Sequence, residues 1–474
     1  MVGFKTRHTI IAVVYTILSL LLYSYSTKSN VELYPIVVFS GLAVFISQLV
    51  ALTRIAGAFI TAANLFLLSF YIFQNGQLLL LALGVEFRSF MIESEMHMVD
   101  ATAVFSSISN VVMGLAAITM AKTPQRYSKE LQYSKISRLS DYSVYRAVRI
   151  GFIVCSVIAM PLAFLKLQVA LTQGGVMAVH EFESTIPSLI SIFSYMFFPF
   201  VCLYLLLEKN RTGNNLCFGL AFLWSAILII CGERSSGFAG VLTIFLLRYF
   251  NGFQRRYSSK KAIRMMLIVG VVIIVLTPII AITRVEGDLA SVSETNYLVS
   301  FVSELGGSCF PLMFVMDIVP SKEPFFWGSA YLTSVIGGLF PSSLDFFGFL
   351  KTINEHSLLV ETWQFKYLDY TFGIGFSLNA EAYANFGWFG LLAIYVFGLI
   401  IFHFLKTCSI SIIRDPWQIY KICILLYFWF TLPRRQTYFI WNSLFYGIIL
   451  MYVYLQIFCA KKERKIWKIQ EYRS

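Results

Sequence analysis

The chain has 474 residues, of which 58% are hydrophobic, 17% aromatic and only 13% charged, with a mean hydropathy of +0.73. A soluble domain carries about 25% charged residues, so a water-soluble globule is excluded, and in lipid only helices or a closed barrel satisfy the backbone. The formal net charge of +12 sits in short segments between apolar runs, which reads as membrane topology and not as a nucleic-acid surface.

Apolar runs of about 18–24 residues suit helices better than barrel strands. In chain order they predict about twelve spans: Thr9–Tyr25, Leu33–Leu52, Ala56–Phe73, Asp100–Ala121, Arg149–Leu171, Pro187–Leu207, Leu216–Cys231, Phe238–Phe250, Met265–Ile282, Gly387–Leu405, Ile419–Leu432 and Tyr438–Cys459. Beyond the third run, QNGQLLLLALG extends the apolar stretch to Leu83, with its Gly and Gln reading as a break or partial re-entry. Lys5 and Arg7 before an apolar run imitate a signal peptide, but no small-residue cleavage site follows, so a retained first span is expected. The eight cysteines form no metal-spaced cluster and read as core residues, without a disulfide framework.

Placing both termini in the cytoplasm puts most Lys and Arg inside, above all in Lys122–Arg149, Arg255–Arg264 and Lys461–Arg473, and most Asp and Glu outside. These basic segments also suit anionic lipid. Residues 284–386 then face outward as one large loop, too long and too mixed for a passive connector. Its apolar stretches Val302–Val319 and Tyr331–Leu350 are interrupted by Gly, Pro or acidic residues and read as interfacial or re-entrant helices. The expected architecture is therefore all-α and polytopic: residues 1–283 hold nine spans and basic cytoplasmic loops, 284–386 the outer loop, and 387–474 three spans and a basic tail. No internal repeat divides the chain into halves, which argues against a rocking transporter.

Polar groups at membrane depth are costly and so point to function. Arg234 lies in a tight outer turn, CGERSSGF; Arg284 leaves the ninth span in ITRVEGD; Arg434 and Arg435 stand outside in LPRRQTYF; Lys166 lies within the fifth span. A planar guanidinium fork matches phosphate oxygens, so these groups are candidate ligands of a diphosphate. No Walker loop, HExxH, GxSxG or Asp cluster appears, so neither a metal nor a soluble cofactor is expected. Transfer from a diphosphate also needs a base near the acceptor hydroxyl, for which Glu304, His356 and Glu381 are the candidates.

In this order the motifs resemble the Wzy-type O-antigen polymerase family. The resemblance rests on the Gly232–Gly237 turn with Arg234, on Arg284, on Ser303, Glu304 and Ser308 in SELGGS, on Gly328 and Tyr331 in FFWGSAYL, and on Pro341 in LFPSSLD. Its most specific part is GIGFSLNAEAYANFGWFG, with Gly373, Gly375, Glu381, Tyr383, Asn385 and Gly387. It implies an inner-membrane glycosyltransferase that moves a growing glycan from undecaprenyl diphosphate onto the next lipid-linked repeat unit at the periplasmic face. The diphosphate would meet Arg234 and Arg284, while Tyr331, Tyr383 and Asn385 would belong to the acceptor side. It implies a lipid-linked oligosaccharide partner and admits a chain-length regulator protein, with no nucleic acid. A ligase-like glycosyltransferase and a flippase are the alternatives; the flippase should show two similar halves, more charges within spans and no long outer loop.

Overall fold

A computed structural model describes residues 2–29, 31–87, 95–122, 142–172, 176–254, 296–340, 375–407 and 415–458, with isolated positions between 264 and 275, at 363 and 366–368, and at 413. The described residues form helices and no strand. Ten helices are long and apolar enough to cross a membrane: Gly3–Ser29, Tyr34–Ala56, Ala62–Ala82, Met96–Met120, Tyr142–Thr172, Ile190–Leu207, Arg211–Ile230, Tyr297–Ile318, Leu378–Leu405 and Tyr438–Phe458. Two expected spans are shorter. The apolar part of the Arg234–Gln254 helix covers only Ser236–Arg248, and the Pro416–Trp429 helix has 14 residues. The expected span Met265–Ile282 falls largely outside the described residues. Tyr297–Ile318 has the length and composition of a crossing, where an interfacial or re-entrant helix was expected, and of the second stretch the Ser329–Leu339 helix is described.

The break expected at QNGQ is absent: the helix runs unbroken from Ala62 to Ala82. Gly76 is instead a packing position. A Cβ there would stand 2.9 Å from the Val302 carbonyl oxygen, and one on Gly306 would stand 2.4 Å from the Gln77 nitrogen. The two glycines therefore let the helices touch backbone to backbone, as small residues do between membrane helices. The glutamines beside Gly76 stay inside because each finds a carbonyl: Gln74 Nε2 donates to Pro433 at 2.5 Å and Gln77 Nε2 to Ser303 at 2.8 Å. In hydrocarbon such bonds reduce the cost that would otherwise expel an amide.

The chain forms two compact units. One comprises 1–126, 274–409 and 429–442; the other comprises 127–273, 410–428 and 443–474. The first is built around the Val99–Met120 helix, which packs on the helices Val2–Ser29, Tyr34–Ala56, Ala62–Ala82 and Gly390–Leu405. Its sequence, AVFSSISNVVMGLAAIT, is small or apolar on every face, as expected of a helix surrounded by others. In the second unit the helices Tyr142–Thr172, Ser188–Leu207, Arg211–Ile230 and Arg234–Gln254 pack together around Phe152, Phe197, Phe198 and Trp224. The six described cysteines are buried and unpaired, in keeping with a core role.

Candidate functional site

The motif at 375–390 folds into one short helix and its two ends. Ser377 caps Leu378–Phe386 by accepting the Ala380 N–H at 3.1 Å, and Gly387 ends it with φ +57, a left-handed value that favours glycine. The helix points polar groups inward: Asn379, Glu381 and Asn385 are all buried. Asn385 Nδ2 donates to the Glu381 carbonyl at 2.8 Å, while its Oδ1 accepts the Gly328 N–H at 3.1 Å. With the Phe326 and Trp327 N–H groups donating to the carbonyls of Ala384 and Asn385, Asn385 joins this helix to the start of Ser329–Leu339.

Glu381 is 2% exposed, and its carboxylate is already engaged. Oε2 accepts the Thr437 N–H at 2.6 Å; Oε1 accepts the Thr437 hydroxyl at 2.7 Å and the Ser334 hydroxyl at 3.5 Å. A single acid thus ties together Ser329–Leu339, Leu378–Phe386 and the turn before Tyr438. Each hydrogen bond to a charged group is worth about 1.5–3 kcal/mol net, and these bonds offset the burial of the charge.

That turn carries Arg434 and Arg435. It is held on one side at Pro433 by Gln74 and on the other at Thr437 by Glu381, so the two arginines stand on backbone fixed at both ends. Both are half-buried. The Arg434 guanidinium lies 6.0 Å from the Phe73 ring centroid, and its Nη2 lies 3.9 Å from the place a Cβ on Gly375 would occupy. The Arg435 guanidinium lies 4.5 Å over the Phe439 ring. Ring faces of this kind attract and orient a guanidinium plane. Gln436, between the arginines and Thr437, is fully buried, and among the described residues neither its Oε1 nor its Nε2 has a hydrogen-bond partner.

The other candidates of this unit lie around that turn or apart from it. Tyr331 packs on Phe397 and Phe386, with its hydroxyl buried and without a hydrogen-bond partner among the described residues. Tyr383 belongs to a ring cluster with Phe105, Phe325 and Trp388. Glu304 is on the Tyr297–Gly306 helix, half-buried. His356 and Arg284 lie outside the described residues.

In the second unit Lys166 is half-buried between two acids, Glu183 and Glu233, the latter at 3.0 Å. Burial pushes the Glu233 carboxyl above its ordinary range, and the Lys166 charge opposes that rise. The lysine predicted as a diphosphate ligand is therefore already matched by two carboxylates, a set with a formal charge of −1. Arg234 begins the Arg234–Gln254 helix; its side chain lies outside the described residues. The partners Thr437, Ser334, Gln74 and Glu183 were not legible beforehand, since each bond joins residues distant in the chain and nothing local marks them.

A family model described as O-antigen polysaccharide polymerase Wzy matches residues 8–464, nearly the whole chain. No curated protein and no solved structure matches it.

Proposed function

The chain belongs to the O-antigen polysaccharide polymerase Wzy family, and from that premise we propose that the Arg434–Arg435 turn binds the diphosphate of its lipid-linked substrate. The protein is an integral membrane glycan polymerase acting on lipid-linked oligosaccharide repeat units. The donor proposed is a glycan on undecaprenyl diphosphate, used at the periplasmic face of the inner membrane, with both termini cytoplasmic. A chain-length regulator protein is proposed as a partner.

The supporting observation is that two arginines stand on one turn pinned at both ends by buried side chains. In the transfer, an acceptor hydroxyl attacks the anomeric carbon of the growing glycan, the bond to the diphosphate oxygen breaks, and the lipid diphosphate leaves with an added negative charge. Preorganised cationic donors at that oxygen lower the barrier, and a guanidinium can bind two oxygens at once. The departing hydroxyl proton needs a base. Glu381 accepts three hydrogen bonds from Thr437 and Ser334, which suits a positioning residue; Glu304 and His356 are the proposed bases. Arg234 and Arg284 are proposed as further diphosphate contacts on the resemblance alone.

Purified protein in nanodiscs, supplied with undecaprenyl-diphosphate-linked repeat units, should give a ladder of lengthening glycans. Arg434→Ala should remove the ladder while leaving membrane insertion intact. Full-length ladders from Arg434→Ala would exclude the proposed contact.

A further inference from the structure

Glu95, His97 and Asp317 meet where the Met96–Met120 helix begins and the Tyr297–Ile318 helix ends. One donor atom from each lies within 4.8 Å of the others. His97 Nε2 is 3.1 Å from Asp317 Oδ1, and Lys322 Nζ donates to the second carboxylate oxygen, Oδ2, at 3.0 Å. Glu95 stands apart from these satisfied groups. It is only 8% exposed, and its Oε2 is buried without a hydrogen-bond partner among the described residues. A buried carboxylate oxygen with no donor is among the costlier features a fold can keep. This one faces a histidine and a second acid.

We propose that Glu95, His97 and Asp317 bind one divalent cation, of the class that accepts mixed imidazole and carboxylate ligands, with Zn²⁺ as the leading member. The closest pair already has a suitable bite: with bonds of about 2.0–2.1 Å, donors 3.1 Å apart subtend about 100° at the metal. Glu95 reaches coordination distance with a small inward movement of its carboxylate. Lys322 sits on the Asp317 oxygen that the metal does not need, where a second group orients the ligand and keeps it monodentate. The His97 side chain is 57% exposed, so the remaining coordination position opens outward to water or to a phosphate oxygen. The bound cation supplies the charge that Glu95 lacks and fastens the beginning of one helix to the end of another. Sequence spacing hid the site, since His97 and Asp317 are 220 residues apart.

The test uses full-length protein purified without a polyhistidine tag, reconstituted in nanodiscs, stripped with chelator and titrated with Co²⁺, then Zn²⁺. The wild type should take up one Co²⁺ with visible d–d absorption, lose that spectrum on Zn²⁺ addition, and show a higher thermal midpoint with metal. His97→Ala and Glu95→Gln should each weaken Co²⁺ binding at least tenfold and abolish the thermal shift. His97 is exposed, so its variant is expected to fold even if Glu95→Gln does not. Absence of Co²⁺ and Zn²⁺ binding by the wild type, or equal binding by wild type and His97→Ala, would overturn the proposal.

Discussion

Replacing Glu381 separates a positioning acid from a catalytic base. Its two short bonds run to the backbone and the hydroxyl of one residue, Thr437. In Glu381→Gln the amide oxygen can still accept the Thr437 N–H, and the new NH₂ can donate to the Thr437 hydroxyl, which reverses its role. Two charge-assisted bonds become two neutral ones, a loss of about 1 kcal/mol each, and the turn stays in place. In Glu381→Ala both donors are left buried and unpaired at about 1–3 kcal/mol each, and the arginine turn loses one of its two anchors. Misplacement of catalytic groups by about 1 Å can cost about 100-fold in rate. Rates of chain extension measured in nanodiscs at saturating substrate should therefore fall by less than about 30-fold in Glu381→Gln and by about 100-fold or more in Glu381→Ala. Thr437→Ala should lower the rate in the same direction as Glu381→Ala, and the double variant should cost less than the sum of the two, because both act through one contact. Loss of all extension in Glu381→Gln, with Thr437→Ala near normal, would refute the positioning role and make Glu381 the base.

Three further outcomes follow from the packing and charge described above. Gly306→Ala, whose Cβ would meet the Gln77 nitrogen at 2.4 Å, should destabilise the protein by about 1–3 kcal/mol through overpacking, read as a lower midpoint in a detergent thermal-shift assay; an unchanged midpoint would contradict the backbone-to-backbone contact. Lys166→Met leaves Glu183 and Glu233 facing one another and should cost about 1–3 kcal/mol, less than a fully buried pair because both acids are partly exposed. Its affinity for lipid diphosphate should not change, whereas a large loss of affinity would make Lys166 a ligand. Burial tends to raise the Glu208 carboxyl, but hydrogen bonds from Tyr145, Tyr204 and the Asn210 N–H outweigh it and hold the group below its ordinary 4.5. A lowered folded-state value gives stability that is present above 4.5 and lost as pH falls below it. Glu208→Gln should thus flatten the acid side of the stability profile below about pH 4.5, measured by thermal shift; an unchanged acid limb would show that other groups set it.

The membrane class and most of the helices were legible because apolar run length depends on local composition alone. Thr9–Tyr25, Asp100–Ala121 and Tyr438–Cys459 all lie within or nearly coincide with helices that can span. The family was legible through GIGFSLNAEAYANFGWFG, whose cap Ser377, buried acid Glu381 and left-handed Gly387 all belong to a single short helix and its two ends. Gly76 was misread because a glycine that breaks a helix and one that admits a neighbouring backbone look alike until the partner, here Gly306, is known. The partners of Glu381 and Lys166 were hidden for a related reason: Thr437 and Ser334 for one and Glu183 and Glu233 for the other come from separate elements. Sequence can mark an acid at membrane depth as costly. It cannot say which distant hydroxyl or ammonium group offsets the cost.

Binding of undecaprenyl diphosphate to Arg434 and Arg435 variants is the most direct measurement. Dissociation constants would be obtained in nanodiscs for the wild type, Arg434→Ala, Arg434→Lys and Arg435→Ala, with undecaprenyl monophosphate as control. Losing charge-assisted bonds worth about 1.5–3 kcal/mol should weaken diphosphate binding about 10- to 150-fold in Arg434→Ala. Arg434→Lys should recover only part of that, since a point charge lacks the bidentate fork, and the monophosphate should discriminate less between variants. Equal diphosphate affinity in the wild type and in both alanine variants would contradict the account, leaving the pinned turn as a structural joint with no part in holding the substrate.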